Sequence, residues 1–184
     1  MKVVIVKLAS IFTLFLFIFV LFSCREGNKC QTGANKQNLT QKEINESLEK
    51  ANRYLIMQEA EQIDNYVECN GLNVLQTGTG LRYQIHDSGD GVLIKEGDVV
   101  TLDYEVRLLN GDLLYSSKKD GYKTFLVGRG GVESGLEEAV LKLCKNSVAT
   151  LIIPIHLAHG LIGDGNKIPP RSTLVYKLKV VDKY

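Results

Sequence analysis

The spacing of apolar residues divides this chain into a helical part and a β-rich part. Over residues 40–71 apolar residues recur at steps of three and four, which predicts one long amphipathic helix. Thr40 and Glu43 have capping-box spacing at its start, and Gly71 suits a left-handed helix end. The apolar stripe shifts by one position after Leu55. A shifted stripe favours packing against the chain's own domain or a neighbour over a long coiled coil.

From residue 72 onward the apolar residues alternate with polar ones or form short β-branched runs. Residues 99–109 alternate and end at Asn110 and Gly111, a strong hairpin turn. A short helix with one apolar face is predicted over residues 135–143. The predicted strands cover residues 72–75, 81–85, 99–109, 125–127, 148–153 and 174–181. The pattern predicts an α+β fold in which a curved antiparallel sheet of five or six strands wraps around one short helix, preceded by the N-terminal helix.

The first 23 residues are typical of a targeting segment. Lys2 and Lys7 precede an apolar run over residues 8–22, and Leu-Phe-Ser-Cys at residues 21–24 resembles a bacterial lipobox, which predicts a lipid on Cys24. The alternative is an uncleaved membrane anchor, although a run of about 15 residues is shorter than the roughly 20 that a spanning helix needs. Both interpretations place the rest of the chain outside the cytoplasm, in the bacterial cell envelope. Residues 24–39 are polar and are predicted to form a flexible tether.

Charge and cysteine content exclude some function classes. Without the targeting segment, 22 basic residues minus two lysines leave 20 against 21 acidic ones, a net charge of −1 that does not favour a nucleic-acid partner. If Cys24 is lipidated, Cys30, Cys69 and Cys144 remain. A disulfide between Cys30 and Cys69 is one open pairing, and Cys144 is predicted to be a small apolar residue rather than a reactive thiol.

Motifs for metals and phosphates are weak in this sequence. His156 and His159 are three residues apart, but no third ligand lies close in sequence. Residues 128–131 are glycine-rich and lack the Lys-Ser/Thr of a nucleotide-binding loop. Residues 163–166 form a turn without the spacing of a calcium loop. We therefore expect neither a metal nor a cofactor.

One ordered set of segments carries a family resemblance. From about residue 80 to the C-terminus the chain resembles the FKBP-type peptidyl-prolyl cis-trans isomerases. The segments that carry the resemblance are residues 99–104, 110–117, 125–128, 132–140, 154–160 and 168–180. The reaction crosses a barrier of about 18–20 kcal/mol for rotation about an X-Pro bond. It requires an apolar pocket, exclusion of water and a few hydrogen-bond donors rather than a nucleophile or a metal.

The resemblance implies particular residues for the pocket. The residues implied to bind the substrate are Tyr104, Phe125, Val132, Glu133, Leu136, Ile168 and Tyr176. Tyr104 and His159 are implied to orient the peptide catalytically, and Glu133 is implied to act through its backbone amide. Taken singly, the apolar members of this set would be typical of an ordinary core, and only their joint order indicates a site.

Several positions depart from the family pattern. The chain contains no Trp, so Leu136 replaces the indole that usually forms the pocket floor. His159 replaces a Tyr, and Tyr115 replaces an Asp whose Arg partner has no clear counterpart in residues 118–121. The loop before Phe125 is about one residue short, which leaves open whether Tyr122 or Lys123 faces the pocket. We therefore expect weaker activity or altered specificity.

The sequence is compatible with two functions. The first is an isomerase acting on X-Pro bonds of exported or envelope proteins, and the second is a catalytically weak peptide-binding chaperone or assembly factor.

The segments predicted are a signal peptide (1–23), a tether (24–39), a helix (40–71) and an isomerase domain (72–184). This layout also resembles lipoprotein isomerases associated with gliding motility, whose helix can form a homodimer. The expected partners are proline-containing polypeptides and, through the lipid, a membrane.

Overall fold

The computed structural model describes residues 40–184, so the predicted signal segment and tether lie outside the described residues. Residues 45–184 form one compact unit. The helices are α1 (Gln41–Cys69), α2 (Ser117–Asp120) and α3 (Ser134–Val140), and a 3-10 helix covers Ile155–Leu157. The first residues of α1 precede the compact unit. The strands are β1 (Leu75–Gln76), β2 (Arg82–Asp87), β3 (Val99–Leu108), β4 (Leu113–Ser116), β5 (Lys123–Leu126), β6 (Val148–Ile153) and β7 (Leu174–Lys183).

Both ends of α1 have the local geometry that its sequence predicts. The amide of Thr40 donates to Glu43 Oε2 at 2.8 Å, and the amide of Glu43 donates to Thr40 Oγ1 at 3.4 Å. Gly71 has a φ of 59°, and the amide of Leu72 donates to the carbonyl of Val67 at 3.0 Å. The capping box and the glycine therefore satisfy backbone groups that a helix end leaves without partners.

The strands form a single antiparallel sheet. Its order is β1-β2-β6-β7-β3-β4, and β5 pairs with the first part of β3. The register sets Tyr104 opposite Leu178 and Val106 opposite Tyr176. Because side chains alternate between the two faces of a sheet, Tyr104 and Tyr176 lie on the same face. Their ring centroids are 6.3 Å apart.

The concave face of the sheet forms the main core with α3. The alternating residues Val100, Leu102 and Val106 of β3 are fully buried, as their spacing predicts. Leu136 and Val140 of α3 pack against this face. At Gly135 an added Cβ would lie 2.4 Å from Ile153 Cγ2, so only glycine allows α3 to approach β6 this closely.

The opposite face of the sheet binds the C-terminal half of α1. Ile63 packs there against Ile152 and Val175. Glu59 Oε1 accepts hydrogen bonds from the amide of Ile155 at 2.7 Å and from Thr173 Oγ1 at 2.6 Å. The helix is therefore attached to the domain by an apolar contact and by a carboxylate that satisfies the start of the 3-10 helix.

The fold class predicted from the sequence is confirmed, with differences at some element ends. The sheet has seven strands. β1 is limited to Leu75 and Gln76, because Leu72 and Val74 instead pack against the cluster around Ile63. The helix predicted to reach residue 143 ends at Val140 and continues as a tighter turn. The extra turn still buries Leu143 in the core.

None of the helices in residues 40–184 combines the length and the apolar composition that crossing a membrane requires.

Candidate active site

The residues implied by the resemblance lie close together, at a site that we call the groove. The groove lies between the start of α3, the concave face of β3, β5 and β7, and the loop that joins β6 to β7. Most of its apolar side chains belong to the main core. The members in contact with that core are Tyr104, Phe125, Val132, Leu136, Ile168 and Tyr176. Glu133 and His159 join the same site through hydrogen bonds.

The Glu133 side chain is the polar centre of the groove, and its surroundings differ from the prediction. Only 5% of this side chain is exposed. Its Oε1 accepts a hydrogen bond from the Tyr176 hydroxyl at 2.6 Å and lies 3.0 Å from His159 Nε2. Its Oε2 lies 3.5 Å from Lys123 Nζ. The resemblance implied a role for the backbone amide of Glu133 alone, and the structure adds a buried carboxylate.

Lys123, rather than Tyr122, faces the groove. Tyr122 is 63% exposed, whereas Lys123 Nζ lies 3.3 Å from the Tyr176 hydroxyl. The same Nζ is 5.4 Å from the ring centroid of Tyr104 and 5.6 Å from that of Tyr176. Phe125 is buried two residues further along β5, so strand alternation places Lys123 on the same side. This alternation was the signal in the sequence that could have identified Lys123.

The charges in the groove fix its protonation states. Burial raises the pKa of the Glu133 carboxyl, but the Lys123 ammonium and the Tyr176 hydroxyl outweigh burial and hold this pKa below its usual value. Burial and the Glu133 carboxylate raise the pKa of Tyr176 well above its usual value. Burial, with the carboxylates of Asp120 and Glu133, also raises the pKa of Tyr104. Near neutral pH Glu133 is therefore charged and both tyrosines keep their hydroxyl protons.

A second carboxylate, that of Asp164, lies at the rim and was not predicted from the sequence. Asp164 accepts a hydrogen bond from the Tyr115 hydroxyl. Its Oδ1 also accepts from the amides of Asn166 at 2.9 Å and Ile168 at 2.8 Å. Tyr115 replaces the Asp of the family pattern, and Asp164, in the loop between β6 and β7, places a carboxylate at the rim instead. It also holds the backbone of Ile168 at the groove.

The open end of the groove is a cavity of about 360 Å³. It is lined by Lys123, Gly130, Gly131, Val132, Glu133, Ser134, Ala158 and His159. Within residues 40–184 no three His, Cys, Asp or Glu side chains converge on a point where they could hold a metal. His156, which the sequence sets near His159, instead lies with Nε2 2.8 Å from the carbonyl oxygen of Thr79. The arrangement can hold an extended peptide between apolar walls and polar groups.

The two cysteines within residues 40–184 lie away from this groove. Cys69 is exposed at the end of α1, and Cys144 is half-buried rather than fully buried. Cys24 and Cys30 lie outside the described residues, so the pairing of Cys30 with Cys69 stays a prediction.

The Glu133 network leads to a prediction about stability. Glu133→Gln keeps the size of the side chain and removes its charge. We expect it to lower the free energy of unfolding near pH 7 by about 1–3 kcal/mol, because hydrogen bonds to a charged group are weakened. The folded pKa of Glu133 is lowered, so its charge stabilises the fold above the unfolded pKa, and this contribution is lost as the pH falls through the folded pKa.

Urea unfolding of both proteins from about pH 7 to about pH 3 measures this difference, which should shrink at the acidic end. Glu61→Gln is the matched control, because Glu61 is exposed on α1. A difference that is independent of pH, or one that the control reproduces, would contradict the role of the buried charge.

Comparisons with known proteins agree with this fold. The family model of the FKBP-type peptidyl-prolyl cis-trans isomerases matches residues 91–181. A probable isomerase of this type, FkpA of Neisseria meningitidis, is 39% identical over 109 residues, which are 59% of this chain and 39% of the relative. This chain therefore matches about two fifths of that relative's length.

Two Escherichia coli proteins extend the similarity. The FKBP-type 22 kDa peptidyl-prolyl cis-trans isomerase is 31% identical over 144 residues, covering 77% of this chain and 69% of the relative. The crystal structure of FkpA superposes with a TM-score of 0.56 at 26% identity, covering 79% of this chain and 74% of that one. The chain belongs to the family of FKBP-type peptidyl-prolyl cis-trans isomerases.

Proposed function

We propose that this protein catalyses cis-trans isomerisation of X-Pro bonds in exported or envelope polypeptides. The observation that carries the proposal is that Tyr104, Leu136 and Tyr176 meet in one groove beside the polar groups of Glu133 and His159. An apolar wall favours the twisted amide, which is less polar than the planar one, and the donors hold the chain in place.

In this proposal the two donors have different roles. Tyr104 acts as a neutral donor, because a tyrosine hydroxyl keeps its proton near neutral pH, and burial together with nearby carboxylates raises its pKa further. In this proposal His159 carries a proton on both ring nitrogens, so that Nε2–H donates to the Glu133 carboxylate, which orients the ring, and Nδ1–H donates to the substrate carbonyl. The substrate-binding roles of Phe125, Val132 and Ile168 are contacts with the prolyl ring and its neighbours.

One observation favours the second candidate, a peptide-binding chaperone or assembly factor with little turnover. The Lys123 ammonium lies against the faces of both groove tyrosines. A prolyl ring that enters there meets a charge and must displace it, which costs binding energy. The groove would then bind proline-containing segments and accelerate rotation only slightly.

Catalysis is tested with the full chain in detergent micelles and a short X-Pro peptide. Exchange NMR measures the rate of cis-trans interconversion. We expect acceleration by the wild type and a loss of up to about tenfold in kcat/KM for Tyr104→Phe, because one hydrogen bond to the peptide is removed. Tyr122→Phe, with an exposed tyrosine beside the groove, should retain wild-type activity.

Binding without acceleration would support the chaperone function. Acceleration that is unchanged in Tyr104→Phe would contradict the role of this hydroxyl. The absence of both binding and acceleration would contradict both functions.

We propose that the protein is attached to the cell envelope by a lipid on Cys24, as the lipobox resemblance predicts. Mass spectrometry of the purified N-terminus should show cleavage before Cys24 and an added diacylglyceryl mass. An intact, unmodified N-terminus would contradict this proposal and favour an uncleaved anchor. A role in gliding motility rests on the order of the segments alone, and unchanged colony spreading in a deletion strain would exclude it.

We also propose that α1 forms a homodimer with a second copy of the chain. Leu48, Ile56 and Ile63 are eight and seven residues apart and so lie on one face of the helix. The domain covers Ile63, but Leu48 is 57% exposed and Ile56 is 64% exposed. The apolar face therefore continues beyond the part of the helix that the sheet covers.

Sedimentation equilibrium in density-matched detergent tests the dimer. Ile56→Glu should shift the protein to a monomer, because a charge would be buried between the helices. Met57→Glu changes an equally exposed residue on a different face and should leave the dimer intact. A wild-type monomer, or the same shift in both variants, would contradict this interface.

A further inference from the structure

We propose that Lys123 determines which X-Pro bonds the groove accepts, and that it favours peptides with an acidic residue immediately before the proline. This inference rests on the proposed binding of X-Pro segments in the groove. The ammonium of Lys123 occupies the space that the prolyl ring requires. When the prolyl ring displaces the ammonium, a substrate carboxylate next to that ring forms an ion pair with it.

The position of the ammonium is the first step. Lys123 Nζ is 5.4 Å from the ring centroid of Tyr104 and 5.6 Å from that of Tyr176, and these centroids are 6.3 Å apart. A cation over the faces of two aromatic rings is stabilised by their electron density. The ammonium therefore lies beside both tyrosine rings, which the resemblance implies to contact the prolyl ring.

The second step is that Lys123 is held loosely while its partners are held firmly. Its Nζ is 3.5 Å from Glu133 Oε2 and 3.3 Å from the Tyr176 hydroxyl, both longer than a typical hydrogen bond. The bond from the Tyr176 hydroxyl to Glu133 is 2.6 Å, and His159 Nε2 lies 3.0 Å from the same oxygen. Lys123 is also 25% exposed at the side chain, against 5% for Glu133.

This difference makes displacement of Lys123 feasible. Its four-carbon side chain is flexible and can swing toward the cavity at the open end of the groove. Glu133 keeps the Tyr176 hydroxyl and His159 as partners when the ammonium leaves. The carboxylate is therefore not left buried without a partner, which would be much more costly.

The third step is that the displaced ammonium requires a new carboxylate partner. The nearby carboxylates are already engaged, since Asp120 pairs with Lys167 at 2.9 Å and Asp164 accepts from Tyr115. Residue X of an X-Pro bond is attached directly to the prolyl nitrogen and lies beside the displaced side chain. An acidic X gives Lys123 an ion pair, a neutral X gives it only water, and a basic X repels it.

The experiment uses the full chain in detergent micelles and four peptides that differ only in residue X, which is Glu, Gln, Ala or Lys. Exchange NMR gives kcat/KM without a coupling protease. We expect the wild type to prefer Glu over Gln by about fivefold, as for a partly exposed ion pair, and to act most slowly on Lys. Added salt should reduce the preference.

Variants of the lysine separate its charge from its size. Lys123→Met should reduce the ratio of Glu to Gln to about one and raise kcat/KM for the Ala peptide, because no charge has to leave the groove. Lys123→Arg keeps the charge and should keep the order of the four peptides. Lys119→Met is the matched control, since Lys119 is an exposed lysine on α2, and it should behave as the wild type.

The outcomes distinguish this inference from the proposed function. If the wild type accelerates all four peptides equally, or if Lys123→Met keeps the preference for Glu, the inference is wrong and the isomerase function stands. If no peptide is accelerated, dissociation constants for the same four peptides decide. The same order of affinity, lost in Lys123→Met, supports the inference for a binding protein, and equal or undetectable affinities overturn it.

Discussion

The pairing of β3 with β7 is the constraint on which both faces of the sheet depend. Its register sets Val106 opposite Tyr176 and Arg107 opposite Val175. Because side chains alternate, a slip of one residue would move Tyr176 out of the groove and bring Val175 into it. The same slip would remove the contact that Val175 makes with Ile63 of α1. One set of backbone hydrogen bonds therefore positions the groove and the helix together.

The groove combines apolar walls with a buried charge. A carboxylate as buried as Glu133 is costly to desolvate, and Tyr176, His159 and Lys123 offset this cost unequally. The tyrosine hydroxyl and the imidazole lie 2.6 Å and 3.0 Å from a carboxylate oxygen of Glu133, whereas the ammonium lies 3.5 Å away. The site thus has a closely hydrogen-bonded polar base and one cation at a longer distance, which an apolar pocket of the same shape would lack.

Most of the fold could be predicted from the sequence because it depends on local patterns. Alternation over residues 99–109 identified β3, and the capping box at Thr40 identified the start of α1. The contacts of the Glu133 side chain and of Tyr115 depend on residues that are distant in sequence, and they were not predicted. The Tyr115 hydroxyl meets Asp164 across 49 positions of sequence, and Glu133 meets Tyr176 across 43. Nothing in the local sequence around Asp164 distinguishes it from a turn residue.

The attachment of Glu59 has a mechanical consequence. Its carboxylate holds the amide of Ile155 and the hydroxyl of Thr173, which flank the loop that carries His159. A displacement of α1 would therefore reach that loop directly through Glu59, and the sheet through the contact of Ile63 with Ile152 and Val175.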